Sequence, residues 1–109
     1  MNDRMLSLLG LCRRAGKLTP GNDAVIDDVT KGISKLVIVT SNISKNTEKK
    51  ILLNCHRCNV KVLKINRTTD ELSYAIGKFS AVVSVQDSGF AKKLSVLIEN
   101  EKQEENAYD

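Results

Sequence analysis

Residues 17–25, Lys17-Leu18-Thr19-Pro20-Gly21-Asn22-Asp23-Ala24-Val25, have the types and spacing best suited to chemistry in this 109-residue chain. They read as a short basic edge running into a helix start. Thr19 is placed to cap, Pro20 suits the first helical position, and Gly21 lets another backbone come close. The N–H groups of a helix start are unpaired donors that point outward. Asn22 and Asp23 stand beside them with groups that match hydrogen-bonding edges, and Arg13, Arg14 and Lys17 lie just upstream. This combination suits an anionic, hydrogen-bond-rich partner such as structured RNA. The same residues also describe an ordinary capped helix.

Two other constellations lead nowhere. Cys55-His56-Arg57-Cys58 invites a zinc reading, but zinc needs four converging ligands. On one helix Ile51, Cys55 and Cys58 share a face, while His56 points about 100° away from Cys55. Cys12 would have to reach in from a distant helix, so small buried cysteines in a core are the better account. Residues 10–17 faintly resemble a phosphate-binding P-loop, yet the spacing is one residue too long, Leu18 replaces the needed Ser or Thr, and a helix precedes it. His56 is the only histidine, and no acidic pair stands in an apolar, pKa-shifting context. The sequence therefore offers no catalytic residues, no metal site and no cofactor site.

Charge distribution agrees with a polyanionic partner. The formal net charge is +4, but residues 1–98 hold 16 Lys and Arg against 8 Asp and Glu. Residues 99–109 reverse the balance, with Glu99, Glu101, Glu104, Glu105 and Asp109 against Lys102 alone. A basic body favours polyphosphates through counterion release. Tyr74, Phe79, Phe90 and Tyr108 are the only aromatics, too few for a stacking platform, so shape, phosphates and base edges should dominate any RNA contact. Three cysteines do not make a disulfide framework and fit a reducing cytoplasm. Residues 5–12 are apolar, but Arg4 is offset by Asp3 and Leu11 stands where a small residue should precede a lipidated cysteine. They read as a buried helix rather than a targeting segment. No run approaches membrane-spanning length.

The elements that must position these residues alternate. Residues 2–14 form a helix capped by Asn2 or Asp3, residues 17–19 a short strand, and residues 21–31 a helix with Val25 and Val29 on one face and Gly32 as its stop. Residues 35–40 form a continuous apolar strand, buried on both faces. Ser44 or Asn46 caps a helix ending near Arg57, and residues 61–65 form the next strand. Thr68-Thr69-Asp70-Glu71 is a capping box opening a helix to Ile76, closed by Gly77. Residues 79–85 alternate as a strand. Asp87 or Ser88 then caps a last helix with Ala91, Leu94 and Ile98 on one face. The pattern predicts a single domain over residues 1–98, a three-layer α/β/α sandwich around a small mixed β-sheet, and a disordered acidic tail over 99–109.

Six short segments then stand in a telling order. Leu8-Leu9-Gly10-Leu11 and Arg14-Ala15-Gly16-Lys17 open the chain, and residues 21–25 and 32–39 follow. Ile76-Gly77-Lys78 and residues 87–94 complete it. Over about residues 4–98 this resembles the kink-turn RNA-binding superfamily of ribosomal proteins, most closely its small bacterial YlxQ-type members. The resemblance implies an α/β/α sandwich without enzymatic activity, bound to kinked, internally looped RNA in a ribosome or translation setting. The superfamily reads RNA with Gly-x-Asn-Glu-x-x-Lys at the start of its second helix, meeting tandem sheared G·A pairs. Counting back from Gly32, Gly21 takes the glycine place and Asp23 the asparagine place. Ala24 then replaces the glutamate and Asp27 the lysine. A register shifted by one aligns Asn22-Asp23 with Asn-Glu, but it breaks the Gly32 anchor and puts Ile26 at the lysine. The superfamily's second RNA-facing loop corresponds to Asn66, Arg67, Thr68 and Thr69, with Lys78 able to reach the same face.

The expected function is recognition of structured, kink-turn-like RNA by a cytoplasmic, monomeric, non-enzymatic protein. Gly21, Asn22 and Asp23 would make edge or backbone contacts, with Asp27 one turn on. Lys17, Arg67 and Lys78 would supply charge. Ribosomal RNA, the ribosome or a translation factor are the expected partners, and no membrane is. The alternative is a protein-interaction module on the ribosome or a translation factor, with RNA binding weakened or lost along with the motif lysine. A small enzyme of unknown chemistry ranks last.

Overall fold

Two strands are buried on both faces, and this organises the whole chain. The computed structural model describes residues 3–106. Its elements are α1 (Arg4–Arg14), β1 (Leu18–Pro20), α2 (Asn22–Thr30), β2 (Leu36–Val39), α3 (Lys45–Arg57), β3 (Val62–Lys64), α4 (Thr69–Ile76), β4 (Val82–Val85) and α5 (Ser88–Asn106). Every residue of β2 and β4 is buried. Side chains alternate across a strand, so such strands need cover on both sides. Leu36, Ile38, Val83 and Val85 pack with Leu9, Leu72, Leu94 and Ile98 of α1, α4 and α5. Val37, Val39 and Val82 pack on the opposite face with Val25, Val29 and Ile51 of α2 and α3. This is the expected three-layer sandwich.

The sheet is mixed, in the order β1-β4-β2-β3. β4 pairs antiparallel with both β1 and β2, and β2 pairs parallel with β3. Consequently β1, β2 and β3 all end at the side of the sheet where β4 begins. The loops leaving them, together with the loop entering β4, converge there.

Where local hydrogen bonding decides, the elements match their sequence signals. Asp3 caps α1 by accepting from the Leu6 N–H at 3.0 Å, while Asn2 lies outside the described residues. Ser44 caps α3, and Thr68 and Glu71 close a reciprocal capping box on α4. Three expectations are corrected. Thr19 and Pro20 do not start α2. They belong to β1, where Pro20 faces Val83 at the sheet edge, the place in a sheet that tolerates a missing N–H. β4 starts at Val82 rather than Phe79, and Phe79 stands in the preceding loop. The acidic segment 99–106 continues α5 instead of being disordered. Glu99 pairs with Lys61 at 2.6 Å and Glu101 with Arg67 at 2.7 Å, so its carboxylates hold it to the body. Residues 107–109 lie outside the described residues.

The α1–α4 contact depends on Gly10. A Cβ there would stand 2.8 Å from the Ala75 carbonyl oxygen, which is backbone and cannot swing away. Gly10→Val should therefore push α4 off α1 and cost about 1–3 kcal/mol. Urea titration checks this: the midpoint should fall while the slope m stays constant.

Candidate nucleic-acid interface

Gly21 is the N-cap of α2, with φ 104° and ψ 142°. That backbone conformation is open to glycine and strained for other residues. Its N–H is not the outward donor expected from the sequence. It donates to Ser80 Oγ at 3.0 Å and to the Val82 carbonyl at 3.3 Å. Among the described residues no side chain caps the helix, so the N–H groups of Asn22, Asp23 and Ala24 begin α2 without intrahelical acceptors, on exposed residues. Space in front of Gly21 is open, since a Cβ built there meets nothing within 4 Å.

Ser80 is the fastening point of this end of the sheet and is 4% exposed. Its N–H donates to Ser73 Oγ at 3.0 Å, and its hydroxyl donates to the Val82 carbonyl at 2.5 Å while accepting from Gly21. One serine thus joins α4, β4 and the start of α2. The loop it closes projects Lys78 and Phe79, both exposed, Phe79 to 75%. The neighbouring loops are also tied together. Asn42 Oδ1 accepts from the Thr69 N–H at 2.8 Å, and the Ser41 N–H donates to the Arg67 carbonyl at 2.9 Å. On the other side of the α2 start, Asn22, Asp23 and Ile26 form a hollow of about 210 Å³ with Asn46, Thr47 and Lys50 of α3.

The structure brings Gly21, Asn22, Asp23 and Lys78 to one place and separates the rest. Asp27 is exposed one turn beyond Asp23, and its carboxylate meets Lys31 at 2.9 Å. Asp27 also lifts the pKa of Lys31 through that hydrogen bond. Lys17 precedes β1 while Gly21 follows it, so about 13 Å of strand lies between them. Arg67, expected to meet phosphate, is instead bonded within the protein. All five of its N–H groups are engaged: Nε and Nη2 to Asp3 at 2.7 and 3.3 Å, Nη1 and Nη2 to Glu101 at 2.7 and 2.9 Å, and Nη1 to the Asn66 carbonyl at 2.9 Å. Its side chain is 15% exposed. Its hydrogen bonds to Glu101 and then to Asp3 raise its pKa further, and Arg67 holds the Asp3 carboxyl below its usual value.

Two residues without a local sequence mark stand near these groups: Lys50 lines the hollow beside Asn22 and Asp23, and Phe79, in the loop before β4 rather than in a strand, directly precedes Ser80. The three cysteines do not converge. Cys12 lies in the α1 layer and Cys55 in the α3 layer, with the sheet between them, while Cys58 is exposed. Burial pushes the Cys12 and Cys55 thiols up to about 11, which keeps them protonated at neutral pH.

The Arg67 cluster makes a pH-dependent contribution to stability. Asp3 has a folded pKa below its unfolded value, so its share is complete above about pH 4 and is lost as pH falls through the lowered value. Arg67→Met should cost about 1.5–3 kcal/mol at neutral pH. Urea midpoints of the two proteins should draw together in acid. An equal gap from pH 7 down to about 2.5 would show that the Asp3 pairing is not its source.

Comparison with known proteins agrees with this architecture. Residues 3–95 match the Ribosomal protein L7Ae/L30e/S12e/Gadd45 family. A Bacillus subtilis protein named RNA-binding protein YlxQ is 40% identical over 93 residues, 84% of this chain and 92% of that one. An Enterococcus faecium protein of the same name is 35% identical over 96 residues, 88% of this chain and 92% of its own length. A Bacillus halodurans structure of unknown function superposes with a TM-score of 0.84 at 37% identity, over 90% of this chain and 99% of that one. The Giardia lamblia 15.5kD RNA binding protein, 17% identical, shares the fold with a TM-score of 0.72 over 92% of both chains. With its five helices, mixed four-stranded sheet and glycine-started second helix, the chain belongs to the Ribosomal protein L7Ae/L30e/S12e/Gadd45 family, on its YlxQ branch.

Proposed function

We propose that this protein binds structured RNA at an internal loop of kink-turn type, in the cytoplasm and in a ribosome or translation context, as a monomer and without catalysis. The observation that carries the reading is the Ser80 clamp, which fixes the uncapped start of α2 beside the loop bearing Lys78 and Phe79. The Asn22, Asp23 and Ala24 N–H groups and the Asn22 and Asp23 side chains then face base edges or backbone, while Lys78 and Lys50 reach phosphates. Phe79 offers an exposed ring against an unstacked base. The names of the two bacterial relatives support RNA as the partner.

A second reading, an interaction module on the ribosome or a translation factor, draws on the charges. Ala24 and Asp27 replace two RNA-reading residues of the resembling motif, Arg67 has no donor left, and Lys17 is remote. Lys78 and Lys50 are the cations left at the site, which points to moderate affinity. About two phosphates neutralised would give a slope of log affinity against log salt near −1.5 to −2.

Gel-shift titrations with an internally looped RNA and a plain duplex of equal length test the proposal. The looped RNA should bind at least about tenfold tighter. Phe79→Ala should cost about 1–3 kcal/mol on the looped RNA. Arg67→Met should change it less than about threefold, because its guanidinium already faces Asp3 and Glu101. Equal affinity for both RNAs would leave only non-specific charge and favour the interaction module.

Asp27→Lys gives a sharper test. It removes a carboxylate one turn from Asp23 and adds a donor where the resembling motif has one. The Lys31 pair it breaks is more than half exposed, so folding should change by less than about 0.5 kcal/mol. Affinity for the looped RNA should rise by roughly 1–2 kcal/mol, about tenfold. On the plain duplex the gain should stay under about threefold. Equal gains on both would place Asp27 away from the site.

A further inference from the structure

The outer face of the α1–α5 layer carries a second surface. Leu8 of α1 and Leu97 of α5 are half-buried, and Val96 is 51% exposed. With Arg4, Lys92 and Lys93 they line an open groove of about 610 Å³. Among the described residues no acidic side chain lines it. Arg4, Lys92 and Lys93 have no ion-pair partner among the described residues, whereas Lys31, Lys61, Lys64 and Arg67 all do. Asp3, next in the chain to Arg4, is held by Arg67.

We propose that this groove docks an acidic amphipathic helix of a protein partner. Such a helix presents apolar residues at i, i+3, i+4 and i+7 with carboxylates along their flanks. The apolar stripe would cover Leu8, Val96 and Leu97, and the carboxylates would meet the three unpaired cations. An RNA backbone would satisfy the cations but leave the apolar floor under phosphates, without gain from its burial. A second copy of this chain seated symmetrically would set Lys92 and Lys93 against their own equivalents, a like-charge contact. The groove lies on the sheet face opposite α2, so the Gly21 surface stays open when it is filled. Such a protein would join an RNA to an acidic helix through two separate faces, and the docking face does not depend on the RNA reading.

Amide NMR titration of the full chain tests this with a synthetic peptide of about 18 residues, long enough to hold a helix. The peptide has leucines at helical spacing and glutamates beside them; a second peptide has lysines for the glutamates. The acidic peptide should shift the amides of Leu8, Lys92, Val96 and Leu97, with a dissociation constant on the order of tens of micromolar. The basic peptide should bind at least about tenfold more weakly. Val96→Asp and the double variant Lys92→Glu/Lys93→Glu should each weaken the acidic peptide by at least about tenfold, with thermal unfolding curves confirming that both still fold. Four results would overturn the proposal. They are no groove shifts up to about 1 mM peptide, equal binding of the two peptides, shifts confined to Asn22, Asp23 and Lys50, or binding to vesicles of anionic phospholipid without binding to the acidic peptide.

Discussion

Burial of β2 and β4 on both faces is the constraint from which the rest follows. Each Val, Leu or Ile removed from water there contributes on the order of 1.5–3 kcal/mol, and only helices on both sides can cover them. Once α1, α4 and α5 occupy one face and α2 and α3 the other, neither face is available to a ligand. What remains accessible is the end of the sheet, where polar loops must run because their backbone groups need partners. Placement of the candidate RNA site at the α2 start is thus a consequence of how the core is covered.

The sheet end is rigid because polar groups there satisfy one another. Ser80, Ser73, Thr40, Asn42 and Thr69 bond across α4, β4 and the loops after β2 and β3. Gly21 enters this network through its N–H, so that donor serves positioning and the following three N–H groups are left for a partner. Asp28 does comparable work at the other end of α2, accepting from Gln86 at 2.8 Å while Gln86 also bonds Thr19. A helix start intended to meet a ligand gains from being held at both ends, since less ordering remains to be done on binding.

Features set by near neighbours in sequence were legible in it. Caps at Asp3, Ser44 and Thr68, the stops at Gly32 and Gly77, and the apolar run of β2 each rest on contacts within a few residues, and each is where the pattern puts it. Features set by distant partners were not. Arg67 looks like an exposed basic loop residue until Asp3, 64 residues away, and Glu101, 34 away, close on it. The Gly21–Ser80 hydrogen bond, which ties the loop before β4 to the start of α2, spans 59 residues. Pro20 is ambiguous for a different reason: it suits both a first helical turn and a sheet edge, and pairing with β4 decides between them.

Those distant pairings also show why net charge is a poor guide to where this protein binds anything. Glu99 and Glu101, counted in sequence as an acidic tail, fold back against Lys61 and Arg67 and cancel part of the basic body at that edge. Lys31 and Lys64 are neutralised by Asp27 and Glu48. Among the described residues, the cations without an ion-pair partner include Lys50 and Lys78 around the α2 start, and Arg4, Lys92 and Lys93 along the α1–α5 groove. At the first surface they stand among exposed N–H groups and amides. At the second they stand over aliphatic side chains. Polar donors beside cations complement a phosphate-bearing, edge-rich polymer, and an apolar floor between cations complements a helix with carboxylates on its flanks. Two surfaces of the same sign therefore select different partners, because what lies between the charges differs.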